Sequence, residues 1–438
     1  MTQNLEHLRA GWSATRLDRV ATVNARIGWK ALTASEYQPD GYAFLSTPNI
    51  KGPEIEFENV NFISDFRYRE SPELQLREGD VLLTKDGFTL GTVNVVRHLP
   101  RPATVNGSIA VLRPFGIDPR FLMYTLSGSA ARHHMWSVKN GMDVLHLFQR
   151  DIKKIPILLP PVEEQHRIAD FLDSETARLD RIGSARSSQR RLLSLLLEQT
   201  IERATGGDPA TLKKLGVPTD TADWATGKVS RLCEVIPGYA FPSKEFSPAA
   251  RTRLLRGVNV SVSKTSWADS VWWDEDAMPT PRRFHLRTGD LVVGMDRPWI
   301  SSGMRITFIS EKDLPALLLQ RVACIRPKST NIAMEYIYWT LRSSSFRKTV
   351  EGELTGVSVP HLSGDQIGSF PFTLPPVSTQ MAISDQLAMR ATRTRELQSA
   401  MDRQANLLTE RRQALITAAV TGQFDVSTAS GRNVTDGV

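Results

Sequence analysis

Few side chains in this sequence stand where chemistry could follow, and the best candidates come in pairs. Gly79-Asp80 and Gly289-Asp290 each close a Leu-Arg-x-Gly-Asp run ahead of an apolar stretch. An aspartate there could be a catalytic carboxylate, but Gly-Asp before a strand reads more simply as a turn whose side chain bonds nearby backbone. His146 and His361 also match in position. Each is a lone histidine without metal-ligand partners, so packing or a partner contact is favoured. His133-His134 faces Lys348-Thr349 in the corresponding place and reads as surface. Cys233 and Cys324 have no CxxC spacing and no paired histidines, which argues against a zinc site or disulfide framework. They read as ordinary thiols of a reducing compartment. No G-x-x-x-x-G-K-[ST] phosphate loop, G-x-S-x-G elbow, H-E-x-x-H or dinucleotide fingerprint occurs. The Asn-Pro-Pro-Tyr type of segment expected of an adenine methyltransferase is missing too, since both Pro-Pro pairs follow leucine.

Elements must therefore position something other than a recognisable catalytic centre. A chain of 438 residues exceeds one ordinary core and suggests at least two domains. Its 41% hydrophobic and 23% charged residues are those of a globular protein without low-complexity segments. Lys and Arg number 54 against 47 Asp and Glu, a net charge of +7 that permits contact with a polyanion without establishing it. The N-terminal MTQNLEHLRAGW has no apolar signal core, and no run of about 18 apolar residues occurs. A cytoplasmic protein with no membrane partner is expected.

The dominant feature is an internal repeat. Val144, His146, Leu147, Ile152, Pro156 and Leu159-Pro160-Pro161 recur 215 positions later as Val359, His361, Leu362, Ile367, Pro371 and Leu374-Pro375-Pro376. The register runs on through Gln165/Gln380, Ile168/Ile383 and Leu172/Leu387, and back to Leu122/Ile337. Near the start, Arg16-Leu17 and Val20 find Arg231-Leu232 and Val235 at the same offset. Between these points the offset slips, to 210 at Leu76–Asp80 and 213 at Arg113-Pro114. Length changes between related units fall in surface loops, where binding residues concentrate. The interior of each half is thus the expected reading surface.

Within each half, apolar runs broken by Gly and polar residues read as strands and turns, followed by an aromatic-rich helix near Phe121–Ser137 or Met334–Val350. After each Leu-Pro-Pro, Ile168, Leu172, Leu179, Ile182, Leu193 and Leu196, and then Ile383, Leu387, Leu397, Met401, Leu408, Leu415 and Ala419, form helical stripes. Arg186, Gln189, Arg390 and Thr394 interrupt them, which favours pairing within the chain over a homodimer zipper. Such a helix, from about Glu163 to Ala204, would be about 60 Å long. Thr205-Gly206 and Thr421-Gly422 mark the ends. Residues 207–220 read as a linker, and those from Ser427 as a frayed tail.

The order of variable region, LPPVEEQHRIADFLD, long helix, second variable region, LPPVSTQMAISDQL, long helix and TAAVTGQFD resembles the specificity subunit of type I restriction-modification systems. The likeness covers nearly the whole chain and is most specific in P-P-x-x-x-Q-x-x-I, at Pro160–Ile168 and Pro375–Ile383, and in L-I-x-x-A-V-T-G, at Leu415–Gly422. It implies an α+β fold with a pseudo-two-fold repeat. Two mixed α/β target recognition domains, 1–159 and 221–373, are each followed by a long helix, 160–206 and 374–424, with a linker at 207–220 and a tail at 425–438. The helices would pair as an intramolecular antiparallel coiled coil and set the spacing of a split target. It further implies a non-catalytic chain that binds double-stranded DNA and docks two methyltransferase subunits and restriction subunits. No cofactor would sit on this chain; S-adenosylmethionine, ATP and Mg would belong to those partners. One departure is that the second helix ends RRQALITAAVTG where the first has SLLLEQTIERATGG.

Loop residues that differ between halves are then the DNA-contact candidates: Ser46, Asn49, Lys51, Lys85, Asp86, Thr89, Asn106 and Ser108, with Arg256, Asn259, Lys264, Arg297, Trp299, Ser301, Gln320 and Arg321. Arg can span guanine and Asn or Gln adenine, whereas Lys and Ser mostly hold phosphate. Gln165, Ile168, Gln380 and Ile383 form the partner-binding set, although both glutamines equally suit ordinary helix-start positions. An enzyme with a divergent site, such as a duplicated hydrolase, and a coiled-coil protein scaffold remain the alternatives.

Overall fold

A computed structural model of the chain describes residues 9–25, 32–139, 145–247, 251–353 and 361–426. Val144 and Val359 of the repeat, and the expected tail from Ser427, lie outside them. The chain forms two compact units, residues 1–187 with 402–438, and residues 188–401.

In the first unit the strands are β1 (Ser13–Arg16), β2 (Ala21–Asn24), β3 (Tyr42–Leu45), β4 (Asn61–Ile63), β5 (Val81–Thr84), β6 (Val93–Val95), β7 (Ala103–Val105), β8 (Ile109–Pro114) and β9 (Pro156–Leu159). They make an antiparallel sheet β2-β8-β5-β6, a mixed sheet β4-β3-β7 and the pair β1-β9. The second unit repeats the plan. Its strands are β10 (Ala225–Lys228), β11 (Cys233–Pro237), β12 (Thr252–Leu255), β13 (Val271–Trp273), β14 (Leu291–Gly294), β15 (Trp299–Ile300), β16 (Gly303–Met304), β17 (Ile306–Phe308), β18 (Ala316–Leu318), β19 (Val322–Pro327) and β20 (Pro371–Leu374). The corresponding sheets are β11-β19-β14-β17, β13-β12-β18 and β10-β20, with an added hairpin β15-β16.

The central strands are apolar throughout because their sheet is covered on both faces. Val81, Leu83, Ala110 and Leu112 enter the core beneath the helices, while Leu82, Ile109 and Val111 alternate into a second core with the mixed sheet. Leu291, Val293, Ala323 and Ile325 against Val292, Val322 and Cys324 reproduce the alternation.

Both Gly-Asp pairs are turns, with Gly79 and Gly289 at φ +88°. Asp80 accepts the Arg77 amide at 2.9 Å and is clasped by Arg113 through Nε and Nη2, both at 2.9 Å. Asp290 likewise accepts the Arg287 amide and is clasped by Arg326 at 2.8 and 2.7 Å. Two separate repeat motifs, Leu-Arg-x-Gly-Asp and Arg-Pro, thus form one ion pair per unit, a buried carboxylate under a half-buried guanidinium. Removing the arginine leaves a buried carboxylate without its charge partner, which is destabilising.

Strand registers revise the repeat at its start. Val23 lies opposite Leu112 and Val235 opposite Ile325, which equates Val23 with Val235, an offset of 212. The match of Arg16-Leu17 with Arg231-Leu232 at 215 is therefore coincidental. It was misleading because Arg-Leu is too short a word to fix register.

The long helices span Val162–Thr205 and Val377–Val420, 44 residues each. In the first unit Ile168, Ala169 and Leu172 share a core with Ile416, Ala419 and Val420, so the start of one helix meets the end of the other. In the second unit Ile201 and Ala204 meet Ile383, Leu387 and Ala391. Pairing is antiparallel in each unit. The expected stripe fails towards mid-helix, where Ile182 and Leu196 are exposed. Polar contacts occur there instead, from Arg412 to Asp180 at 3.0 Å and from Gln398 to Ser194 at 2.8 Å.

The expected linker is also corrected. Pro209–Leu215 is a helix whose Leu212 and Leu215, with Val217, enter the core of the second unit. Asp208 caps it by accepting the Thr211 amide at 2.9 Å, and Gly216 closes it in the left-handed conformation. The residues taken for breakers are its start and stop signals.

Candidate nucleic-acid interface

Three segments converge at one edge of each unit. In the first, the amide of Lys85 donates to Ser108 O at 2.8 Å, and that of Leu147 to Lys85 O at 2.8 Å. In the second, Met295 donates to Arg321 O at 2.9 Å and Leu362 to Met295 O at 2.8 Å. The connection after the central strand is thus sewn to the turn before β8 or β19 and to the histidine segment. Asn106 donates to Leu45 O at 2.8 Å and Leu319 to Leu255 O at 3.3 Å, which brings the ends of β3 and β12 alongside. The sequence candidates scattered over residues 46–108 and 256–321 are brought together by this arrangement.

Side chains repeat the pattern. His146 Nδ1 bonds Asp86, and His361 Nδ1 bonds Asp296 at 2.8 Å. Asp86 also takes Lys85 Nζ at 2.7 Å, whereas Asp296 takes Arg321 Nη1 at 2.9 Å. Burial alone would raise the Asp296 carboxyl, but His361 and Arg321 hold it below the usual carboxylate range. The sequence reading missed these Asp–His pairs and with them Asp296. The matched 215 offset of the histidines was visible, but their partners lie 60 and 65 residues away at a different offset.

The connections themselves differ. Thr84 N bonds Thr92 O in the first unit, and Gly294 N bonds Arg305 O in the second, both at 2.8–2.9 Å. The slip from 210 to 213 therefore falls between these closures, and the second unit uses its extra residues for the β15-β16 hairpin. Arg305 fills the space beside Gly294, donating to Val260 O and Asp296 O, both at 2.9 Å. Phe88 at the first connection is 94% exposed. Gly87 and Gly91 flank it at φ +85°, a turn that L side chains resist. Phe88 was not among the candidates, because polarity was the criterion used.

Lys51, Lys264, Arg297, Ser301 and Gln320 are exposed at this edge, while Ser46, Thr89, Asn106, Ser108 and Trp299 are half-buried. Arg256 is occupied by Asp269 at 2.8 Å. Arg297 and Arg321 adopt positive φ, 44° and 69°, at this edge. In the second unit Lys264, Trp299 and Ser301 also line a cleft of about 1030 Å³ with Arg342, Arg347 and Arg395.

Three candidates are corrected. Asn49 is buried, its Oδ1 accepting the Ser46 amide at 2.8 Å and its Nδ2 donating to Asn59 O at 3.1 Å. Asn259 does the same with Arg256, Ser266 and Asp269. Both hold their turns and have no face for a base edge. Lys85 is buried on Asp86. The partner-binding set is corrected as well, since Gln165, Ile168, Gln380 and Ile383 are all at most 1% exposed. Gln165 Oε1 accepts the Asp118 amide and its Nε2 donates to Pro160 O, both at 2.8 Å. Gln380 does so with Ala333 and Pro375 at the same distances. The repeated glutamine fastens the recognition domain to its helix.

Cys233 and Cys324 are free and buried, and burial pushes the Cys233 thiol up to about 11. His134 is buried with neither ring nitrogen bonded, not at the surface as expected. Among the described residues no group of three or more His, Cys, Asp or Glu could hold a metal. No helix there is long and apolar enough to cross a membrane.

The geometry defines a class: a duplicated α+β chain presenting the same scaffold twice with different loops. A type I restriction modification DNA specificity domain matches residues 11–185. The MjaVIII type I specificity subunit of Methanocaldococcus jannaschii is 24% identical over 351 residues, 79% of this chain and 78% of that protein. The EcoAI specificity subunit of Escherichia coli is 33% identical over 158 residues, 36% of this chain and 26% of its own length. In fold, the chain resembles a solved chain of a type I R-M system, with TM-score 0.71, 16% identity and coverage of 95% and 100%. It also resembles the HsdS subunit from Thermoanaerobacter tengcongensis, with TM-score 0.54, 17% identity and coverage of 97% and 100%. Over most of its length the chain is thus similar to specificity subunits of type I restriction-modification systems.

Proposed function

We propose that each unit reads one half of a bipartite DNA target and that the chain directs adenine-N6 methyltransferase and restriction subunits to it. The carrying observation is the repeated edge, on which an unchanged backbone platform bears loops of different length and chemistry. A fixed scaffold with varied loops suits two different half-sites. The remaining polar candidates divide by role: Arg297, Arg321, Gln320 and Asn106 suit base edges, and Lys51, Lys264 and Ser301 suit phosphates. Partners would find apolar helix surface at exposed Leu192, Leu195 and Leu196 in one unit and at Leu407 in the other. The chain is read as non-catalytic and free of cofactors of its own, with S-adenosylmethionine, ATP and Mg bound by its partners.

A hydrolase reading draws on the Asp–His pairs, since an aspartate can orient a catalytic imidazole. Among the described residues, however, no hydroxyl or thiol is hydrogen-bonded to the other ring nitrogen of His146 or His361. Selection from randomised duplex DNA by the chain assembled with its modification subunit distinguishes the readings. Recovery of two conserved blocks separated by an unread gap is expected. Recovery of no preferred sequence would leave a protein scaffold.

A further inference from the structure

The ring of Phe88 is left almost wholly outside the core of its unit. It stands 94% exposed on a connection whose length differs by three residues between the two units. The base of that connection is held at Lys85 by backbone bonds on both sides and by the Asp86–His146 pair. Its counterpart in the second unit is the β15-β16 hairpin, where Ile300, paired with Gly303 next to the Ser301-Ser302 turn, is also exposed. In each unit a tethered base thus carries an exposed apolar side chain at or beside its turn, and the two side chains differ in shape. Cations lie nearby: Arg150 stacks on Phe148 at 4.9 Å beside His146, and Arg297 and Arg321 flank the hairpin.

We propose that Phe88 and Ile300 are specificity-determining residues, each contacting a thymine methyl or entering a deformable base step of its own half-site. Apolar side chains read DNA in these two ways, against the thymine C5-methyl or as wedges between bases. The proposal rests on the chain being a DNA-reading subunit, and it assigns the Asp–His pair as a latch that positions the loop.

The test is selection from randomised duplexes by the full chain with its modification subunit, comparing native protein, Phe88→Ala, Ile300→Ala and a control, Phe66→Ala. Phe66 is an exposed aromatic on another segment of the same unit. Phe88→Ala should relax the preference at one or two positions of one block, on the order of tenfold, and leave the other block intact. Ile300→Ala should do the same to the opposite block, and Phe66→Ala should change neither. Thermal unfolding should be unaltered in all three. An unchanged motif in Phe88→Ala, a uniform loss of affinity over all sequences, or weaker retention of the modification subunit with the motif intact would each overturn the proposal. Absence of any motif in the native protein would instead overturn the DNA-reading function itself.

Discussion

At the scale of single residues, polar side chains in this chain mostly serve its turns. Asn49, Asn259, Asp80 and Asp290 all spend their oxygens on amides three residues back. The turn reading of Gly-Asp was legible, because Gly-Asp before an apolar strand has one common meaning. The asparagines were misread, because a buried cap and an exposed base reader share one residue type. Asp313 is the extreme case. Burial raises its pKa, yet Ser310, Thr265 and Trp267 all donate to it and hold it down to about 2, against an ordinary 3.8. A depressed carboxyl contributes stability that is full above the unfolded value and lost as pH falls through the folded one. Asp313→Asn should therefore lower the urea midpoint at pH 7, and the gap should close between about pH 4 and pH 2. A gap independent of pH would refute this account of Asp313.

Elements were legible where period and punctuation agreed. The Leu-Pro-Pro starts and glycine stops place both long helices to within a residue or two. Mid-helix burial was not legible, because a leucine at stripe spacing does not reveal whether a facing side chain is apolar. The helix at Pro209–Leu215 was missed for a related reason, since Asp-Pro and Gly bound a helix as readily as they break one. The repeated glutamines join element to element. Gln165→Ala leaves the Asp118 amide and the Pro160 carbonyl without their partner. It should cost on the order of 2 kcal/mol in denaturant unfolding while retention of the modification subunit is unchanged. Loss of that subunit at native stability would restore Gln165 as a docking residue.

For the whole molecule, the repeat was the one long-range fact available from sequence, and it correctly implied two units of one topology. It did not show that each unit takes its helices from both halves of the chain, with residues 402–438 joining 1–187. Antiparallel pairing requires this, since the end of one helix then packs with the start of the other. Nor did it reveal the shared edge, because the bonds that build it join segments at different offsets. The proposed function requires that one chain read two half-sites, one through each unit. Genome-wide mapping of methylated adenines, in cells carrying this chain with its modification subunit, tests that claim most directly. A motif of two blocks with an unread gap is predicted, and replacing 209–372 by the same region of a relative should rewrite one block alone. A single uninterrupted motif, or both blocks changing together, would contradict it.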